Sequence, residues 1–325
     1  MNFPKIAAEE AYKTCMANKF CKTPRQDTKE RLIPFAAPNF EPSFEILPGE
    51  SVFTMGSCFA RYIESFLAKK GFTVPVSTFF APPEECHDVW PAGPSLFTMF
   101  TPFSMLNKIR FAVGDVDPKL ALIEVPGGYL DLQLHTDKPV TYERAVERHN
   151  EIYQLVKNAL KNSRIAVVTL GLVEAWFDNQ NQIYTNHTPS IQLVRANPGR
   201  YSFEALSPET VFGAVDDLIA LMKRHGHPEQ RLLLTVSPVP LGRTFTAQDA
   251  MTANAYSKAV LRTAAEIAVR KYDHVDYFPS YESVTLSERE TTWEPDGLHV
   301  KAPAVQFNVD NMLKSYCKDV ANAPQ

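Results

Sequence analysis

The chain has 325 residues, a formal net charge of −4, 45% hydrophobic residues and 22% charged residues. These proportions are ordinary for a globular protein with one large core, although length is a weak guide to the number of domains. The sequence shows no basic stripe with interleaved aromatic residues, so we expect no nucleic-acid partner. No run approaches the roughly 20 apolar residues of a membrane-spanning helix, so we expect no membrane span.

The N-terminal residues and the cysteines both favour a cytoplasmic location. Glu9 and Glu10 interrupt the apolar run that a secretory signal would need. The five cysteines are scattered along the chain: Cys15, Cys21, Cys58, Cys86 and Cys317. Their spacing matches neither a zinc site nor a paired disulfide framework. We therefore expect reduced thiols, no bound metal and no required cofactor.

Two segments differ in composition from the rest of the chain. Residues 1–45 are poor in pattern and rich in Pro, Lys and Arg, which predicts an N-terminal arm laid over a single domain at 46–325. Residues 77–130 carry many Pro, Gly and Phe residues without a long period. This composition predicts a loop-rich insertion that forms a wall around a cleft.

Short apolar runs alternate with helical patterns from residue 51 onward. A strand at 51–55 precedes a helix that ends at Gly71, and a second strand at 72–76 contains a proline, which suits a sheet edge. The further predicted elements are helices at 141–161, 208–225, 247–271 and 302–316 and strands at 165–170, 232–236 and 274–278. Continuous apolar strands between helices predict a parallel sheet covered on both faces, with the ligand site beyond the carboxyl ends of the strands.

The candidate nucleophile lies between the first strand and the first helix. Gly56 and Ser57 precede Cys58 there, and small neighbours leave its sulfur accessible. The amide end of the following helix favours a thiolate, and its free N–H groups suit a developing oxyanion. The alternative is that Cys58 is a small buried apolar residue, which is the commoner fate of a lone cysteine.

An Asp-x-x-His sequence near the C-terminus supplies a candidate base. Asp296 and His299 flank a glycine, and at this spacing the carboxylate can reach Nδ1 of the ring and leave Nε2 free to accept a proton. The alternative is an exposed histidine beside a turn. His187 is a further candidate base, for which a surface position is the alternative.

The order of these motifs resembles that of the SGNH/GDSL hydrolases, in which a Gly-Asp-Ser-Leu block supplies the nucleophile and a late Asp-x-x-His the other two residues. The string Gly56-Ser57-Cys58-Phe59-Ala60 is the signature of the GSCFA family, an SGNH-like group. The resemblance runs from about residue 40 to residue 315 and includes the stretches 101–104, 169–171, 235–239 and 296–299. It implies a three-layer, flavodoxin-like α/β fold.

The resemblance also implies site roles, with Cys58 as nucleophile, His299 as base and Asp296 as the residue that orients the base. Two departures from the hydrolases matter. Their third block, Gly-x-Asn-Asp, gives an Asn amide to the oxyanion hole, whereas Val173 at the matching position has no donor. Backbone groups near Cys58, or a side chain such as Asn186, must then serve. The second departure is the cysteine itself, because the adjacent serine is a rival nucleophile, although the register favours the cysteine.

The leading hypothesis is acyl transfer through a thioacyl-enzyme, either as an ester hydrolase or as an O-acyltransferase on a carbohydrate-type substrate. The candidate oxyanion or substrate-binding residues are Gly56, Ser57, Ser104, Gly171, Trp176 and Asn186. Acyl-CoA is a candidate co-substrate, although no phosphate-cradling glycine loop identifies a CoA site. The alternative is a non-catalytic SGNH-like domain that binds a glycan or a protein. The acyl donor and the oligomeric state stay open.

Overall fold

A four-stranded parallel sheet is the centre of the fold in the computed structural model, which describes residues 5–24, 31–86, 89–90 and 93–317. In chain order the helices are α1 (Ala8–Ala17), α2 (Cys58–Lys69), α3 (Pro102–Val113), α4 (Tyr142–Asn162), α5 (Ile191–Ala196), α6 (Pro208–His225), α7 (Ala250–Lys271), α8 (Ser280–Leu286), α9 (Arg289–Thr292) and α10 (Ala302–Tyr316). The strands are β1 (Val52–Gly56), β2 (Val89–Trp90), β3 (Gly93–Pro94), β4 (Leu122–Val125), β5 (Gly128–Asp131), β6 (Ile165–Leu170), β7 (Glu174–Asp178), β8 (Ile183–Thr185), β9 (Tyr201–Ala205), β10 (Arg231–Val236) and β11 (Val275–Tyr277).

The central sheet has the strand order β1-β6-β10-β11, and all its pairs are parallel. All residues of β1 and β6 are buried, which explains why these strands are continuous apolar runs rather than alternating ones. Thr169 near the end of β6 is opposite both Gly56 on β1 and Thr235 on β10. The carboxyl ends of the three strands are therefore level, and the loops that follow them meet at one edge.

Helices cover both faces of this sheet. From β1 the chain passes through α2 to Thr73, which forms a parallel bridge with Ser51. From β6 it crosses in the opposite direction, through α6 to β10 and through α7 to β11. Since such crossovers are right-handed, opposite directions place their helices on opposite faces. Helix α10 packs beside α2, and α3 packs between α4 and α6. The predicted three-layer α/β fold is confirmed. Within the described ranges, no helix is long and apolar enough to cross a membrane.

The predicted edge strand at 72–76 is wrong. Only Thr73 pairs, through its bridge to Ser51, and the chain then forms a 3₁₀ helix at Pro75–Thr78. Proline favours this outcome, because its fixed φ suits the first turn of a helix and its missing N–H cannot extend a sheet.

The segment at 77–130 is less loop-rich than predicted, because it contains the twelve-residue helix α3. Thr101 caps this helix: its side chain accepts a hydrogen bond from Ser104 N, and Ser104 Oγ accepts one from Thr101 N. Most residues of α3 are buried, including polar ones such as Asn107 and Lys108. A helix enclosed on nearly all sides shows no amphipathic period, and this is why the sequence pattern did not reveal it. Residues 87–88 and 91–92 of the predicted insertion lie outside the described residues.

The described part of the N-terminal segment consists of an exposed helix and a stretch that packs against the rest of the chain. Helix α1 has no buried residue. Residues 31–46 instead pack against the C-terminal part of the chain, where the Phe40 ring lies 5.0 Å from Phe278 and 5.7 Å from Tyr316. Ser43 N donates to Asp276 Oδ2 at 2.8 Å. This part of the arm therefore covers the edge of the sheet at β11.

A second, antiparallel sheet with the order β8-β7-β9 follows β6 and was not predicted. Its strands have three to five residues and are only partly buried, so they carry neither a continuous apolar run nor a clear alternation. It extends from the carboxyl edge of the central sheet and carries Trp176.

Candidate active site

The turn between β1 and α2 requires a glycine at its first position. Gly56 has a φ of +144°, and a Cβ atom there would collide with the backbone oxygen of Thr169 on β6. Its own carbonyl accepts a hydrogen bond from Met99 N at 2.8 Å. The glycine thus allows the turn to lie directly against the neighbouring strand, at the edge where the loops meet.

Ser57 is the N-cap of α2. Its Oγ accepts a hydrogen bond from Phe59 N at 3.3 Å and donates one to Ser237 Oγ at 2.9 Å. The residue is only 3% exposed. The hydroxyl is therefore engaged twice, and it ties the turn to the loop after β10.

Cys58 is the first residue of α2 and is partly exposed. Burial raises the pKa of its thiol, and this effect outweighs all those that lower it. The lowering influences are, in order, the charge of Lys258, the backbone N–H groups of Phe59 and Cys58, and the charge of Arg61. The helix start acts in the expected direction, but the thiol is not pre-ionised in this structure. It needs a base.

The loop before α10 brings Asp296 and His299 together. Asp296 Oδ1 accepts hydrogen bonds from Leu298 N at 2.8 Å and from His299 N at 3.0 Å, and Oδ2 lies 2.6 Å from His299 Nδ1. The backbone N–H of His299, followed by its ring, lowers the pKa of Asp296 to about 2. An ionised carboxylate can only accept, so Nδ1 donates to it and Nε2 is left as the basic nitrogen.

Tyr62 connects the two halves of the candidate site. It lies on α2, one turn after Cys58. Burial raises the pKa of Tyr62, and the charge of Cys58 raises it further. The charges of Glu294 and Asp296 act on this pKa in the same direction. The first turns of α2 and the Asp296–His299 loop therefore lie within electrostatic reach of one side chain.

The loop after β6 is held from two sides. A Cβ atom on Gly171 would lie 2.5 Å from Phe100 O, so this close approach also requires glycine. Leu172 N donates to the same carbonyl at 2.7 Å, and Val173 N donates to Ser257 Oγ on α7 at 3.1 Å. Val173 is buried and supplies no side-chain donor.

A residue of α7 that the sequence patterns did not single out also holds this loop. Lys258 Nζ donates to Gly171 O at 2.8 Å and to Val239 O at 2.7 Å. Its position in an alanine-rich amphipathic helix carries no signal of its own, because only the folded chain shows which carbonyls it meets.

Asn186 and Ser104, two candidate binding residues, are engaged by the protein's own backbone. Asn186 Oδ1 accepts from Phe100 N at 3.0 Å, and its Nδ2 donates to Thr98 O at 2.8 Å. Asn186 therefore fixes the segment that runs beside Gly56. Ser104 is 1% exposed, and its hydroxyl is bonded within the cap of α3.

Two surface hollows flank the segment 238–249 at the carboxyl edge. One of about 390 Å³ is lined by Leu241, Trp293 and Leu298, among others, and so adjoins the Asp296–His299 loop. The other, of about 490 Å³, is lined by Glu174, Gln248 and neighbouring residues. Trp176 is two residues beyond Glu174 on β7, and its ring lies 5.3 Å from Phe203 and 5.1 Å from Phe245, which precedes the lining residue Thr246. The His187 ring lies 6.1 Å from that of His135, which in turn lies 5.0 Å from the Phe100 ring.

These features define a three-layer α/β protein with a cysteine turn and an Asp–His pair at the carboxyl edge of a parallel sheet. The model of the GSCFA family matches residues 51–312, and the chain belongs to that family. No curated protein matches the chain significantly.

Solved structures similar to this chain have low sequence identity. A GDSL-like lipase from Bacteroides thetaiotaomicron is 11% identical with a TM-score of 0.38, over 83% of this chain and 88% of the other. A carbohydrate esterase family 3 protein from Talaromyces cellulolyticus is 12% identical with a TM-score of 0.38, over 85% of this chain and 100% of the other. A family 3 carbohydrate esterase from Clostridium thermocellum is 9% identical with a TM-score of 0.31, over 83% and 95%.

Proposed function

We propose that this protein catalyses acyl transfer, as an ester hydrolase or an O-acyltransferase, with Cys58 as nucleophile, His299 as base and Asp296 as the orienting carboxylate. The observation that carries the proposal is the 2.6 Å contact between His299 Nδ1 and Asp296 Oδ2. It leaves Nε2 as the basic nitrogen, in a loop whose Glu294 and Asp296 charges reach Tyr62, one turn after Cys58 on α2. This arrangement supports a base positioned to act on a thiol.

The chemistry proceeds in two halves. His299 Nε2 accepts the thiol proton and Cys58 Sγ forms a bond to the acyl carbon. The bond to the leaving atom, oxygen in an ester or sulfur in a thioester, breaks as the imidazolium returns the proton to it. Water or an acceptor hydroxyl then attacks the thioester, with His299 again moving the proton. Because burial raises the pKa of Cys58, little thiolate forms without this base. Proton removal is therefore part of the mechanism.

The negative charge of the tetrahedral intermediate needs donors at the same edge. Val173 has no side-chain donor, and both ends of the Asn186 amide are used by the 98–100 segment. These facts favour the backbone N–H groups at the start of α2, where the first turn of a helix leaves N–H groups outside the helical ladder.

A carbohydrate-type substrate is supported by the aromatic cluster around Trp176, together with the hollow lined by Glu174 and Thr246. The rings of Trp176, Phe203 and Phe245 form an aromatic cluster, and Glu174 accepts hydrogen bonds from Thr244 Oγ1 at 2.5 Å and Phe245 N at 3.0 Å next to it. Apolar faces beside polar groups suit a sugar ring. Acyl-CoA or an ester would supply the acyl group.

The test is turnover of p-nitrophenyl acetate together with intact-mass measurement after mixing with an acyl thioester. Wild type should show turnover and one acyl adduct, and Cys58→Ala should show neither. Cys58→Ser should keep only a small fraction of the rate, because a hydroxyl is harder to ionise than a thiol. Cys21→Ala is the matched control, since Cys21 is an exposed thiol outside the site.

The control should keep the wild-type rate and the adduct. Turnover that survives in Cys58→Ala would contradict the proposal. Absence of both turnover and adduct in wild type, with several activated esters and thioesters, would replace it with a binding domain.

A further inference from the structure

We propose that Lys258 is a positioning residue of this site, which holds the two loops beside the Cys58 turn and supplies the positive charge that stabilises the thiolate. The inference rests on the proposed role of Cys58 as nucleophile. It extends that role by naming the group whose positive charge stabilises the Cys58 thiolate at the start of α2.

The first support is where the ammonium lies. Lys258 is 1% exposed, and its Nζ donates to the carbonyls of Gly171 and Val239. Gly171 directly follows β6, and Val239 comes shortly after β10. One buried cation therefore joins the carboxyl ends of two neighbouring strands, at the edge that carries the candidate site.

The second support is a short path from these loops to the nucleophile. Ser237 N donates to Leu170 O at 2.8 Å, so the two loops leave their strands side by side. Ser57 Oγ donates to Ser237 Oγ, and Ser57 is the residue immediately before Cys58. The loops that Lys258 joins are therefore bonded to the turn that presents the thiol.

The third support is charge. The charge of Lys258 is the largest of the influences that lower the pKa of Cys58. Burial lowers the pKa of Lys258 to about 7, and the charge of Cys58 acts in the opposite direction. Each group therefore favours the charged form of the other, as expected for a coupled pair.

The other charges around Cys58 contribute less. Arg61 on α2 also lowers the pKa of the thiol, but Arg61 is itself paired with Glu64 at 2.5 Å. Tyr62 on α2 and the carboxylates of the 294–299 loop face the same region, and the carboxylates oppose a thiolate. In the described part of the chain, Lys258 has two neutral carbonyls and no carboxylate as partners, so its charge is not offset by a nearby anion.

The decisive measurement is the rate of Cys58 alkylation by iodoacetamide as a function of pH, read by peptide mass. Lys258→Gln keeps N–H donors for the carbonyls but removes the charge, and Lys258→Met removes both. Both variants should lower the alkylation rate about tenfold at and below about pH 7, where Lys258 carries its charge, and the difference from wild type should shrink as the pH rises through the lysine pKa. Lys108→Met, which removes a buried lysine from α3, is the matched control and should keep the wild-type profile.

A second measurement needs no change at Lys258. With lysine labelled by ¹³C at Cε, the Lys258 resonance of wild type should titrate at about pH 7, in the pH range where the alkylation rates of Lys258→Gln and wild type converge. The turnover of Lys258→Gln should show the same dependence on pH as its alkylation. In Lys258→Gln, kcat/KM should fall near neutral pH and recover as the pH rises, which a merely structural defect would not produce.

The outcomes separate the two proposals. If folded Lys258→Gln alkylates with the wild-type profile, or its rate deficit does not shrink as Lys258 of wild type loses its proton, the inference about Lys258 is overturned while the proposed function is judged by turnover alone. If the rate deficit follows the Lys258 titration but wild type shows no turnover, the charge effect stands and the proposed function fails.

Discussion

Two Asp–His pairs in this molecule have nearly the same contact distance and opposite surroundings. His299 Nδ1 lies 2.6 Å from Asp296 in a loop where both side chains are more than one-third exposed. His149 Nε2 lies 2.5 Å from Asp131 at the end of β5, and both side chains are buried. The first pair can meet a substrate, whereas the second can meet only other protein groups.

Two buried lysines show the same contrast. Lys258 at the site donates to two carbonyls, whereas Lys108 Nζ has no hydrogen-bond partner among the described residues. Lys108 instead lies 5.6 Å from the ring centroid of Phe97 and 5.3 Å from that of Tyr153. Burial lowers the pKa of Lys108 to about 8, against the charge of Asp131, which raises it.

Lys108, Asp131, Arg148, His149 and Tyr153 form what we call the buried charged cluster. Arg148 in this cluster contacts Glu85 at 3.3 Å. The comparison shows that residue type alone does not distinguish the candidate active site from the buried charged cluster. What distinguishes the candidate site is the exposure of the Asp296–His299 pair and the position of Lys258 within electrostatic reach of Cys58. Changes at the site should therefore alter activity, and changes in the cluster should alter the free energy of unfolding.

Asp296→Ala should have the largest effect on activity. Loss of the carboxylate leaves His299 free to turn and to carry its proton on the wrong nitrogen, so kcat/KM for p-nitrophenyl acetate should fall by about 10³-fold or more. The melting temperature should stay close to that of wild type, because an ion pair whose side chains are more than one-third exposed contributes little to stability. An Asp296→Ala variant with wild-type kcat/KM would show that the exposed Asp296–His299 pair has no role in activity.

Asp131→Ala should have the opposite profile. It leaves His149 without its carboxylate and removes the acceptor of Gln133 N, so the free energy of unfolding should fall by about 3–5 kcal/mol in urea titrations. Asp131→Asn keeps both hydrogen-bonding positions and should lose less. At a temperature where the variant is folded, kcat/KM should match wild type, and a selective loss of turnover would show that the cluster serves the site.

Lys108→Met should stabilise the protein near neutral pH, by about 3 kcal/mol. The folded-state pKa of Lys108 is lowered to about 8 from 10.5, so between these values the unfolded chain binds more protons and wild-type stability rises with pH. The advantage of the variant should thus be full below about pH 8 and shrink toward pH 10.5. Urea titrations of both proteins at several pH values measure this, and a constant difference would contradict it.

Ser57→Ala should have the smallest effect. Loss of the N-cap of α2 should lower the free energy of unfolding by about 1 kcal/mol, with a modest loss of turnover from the altered turn. Thermal unfolding and p-nitrophenyl acetate turnover check both effects. An inactive but folded Ser57→Ala, beside an active Cys58→Ala, would mean that the nucleophile is the serine.

The positions of several helices and strands follow from the sequence alone. The strand predicted at 165–170 and the helices predicted at 208–225 and 302–316 have the same bounds in the structure. These elements are long or continuously apolar, so local pattern and burial agree. The Asp296–His299 contact is also local, because three residues and a glycine turn suffice to bring the groups together.

Tertiary structure alone decided the rest. Helix α3 is enclosed by α4, α6 and the second sheet, so its pattern has no polar face. Lys258 meets the carbonyl of Gly171 from 87 positions away in the chain, and Asn186 meets Phe100 from 86. The direction of the Cys58 pKa depends on how burial compares with charges from α2 and α7. The balance between burial and charge depends on the distances between elements that only the folded chain brings together.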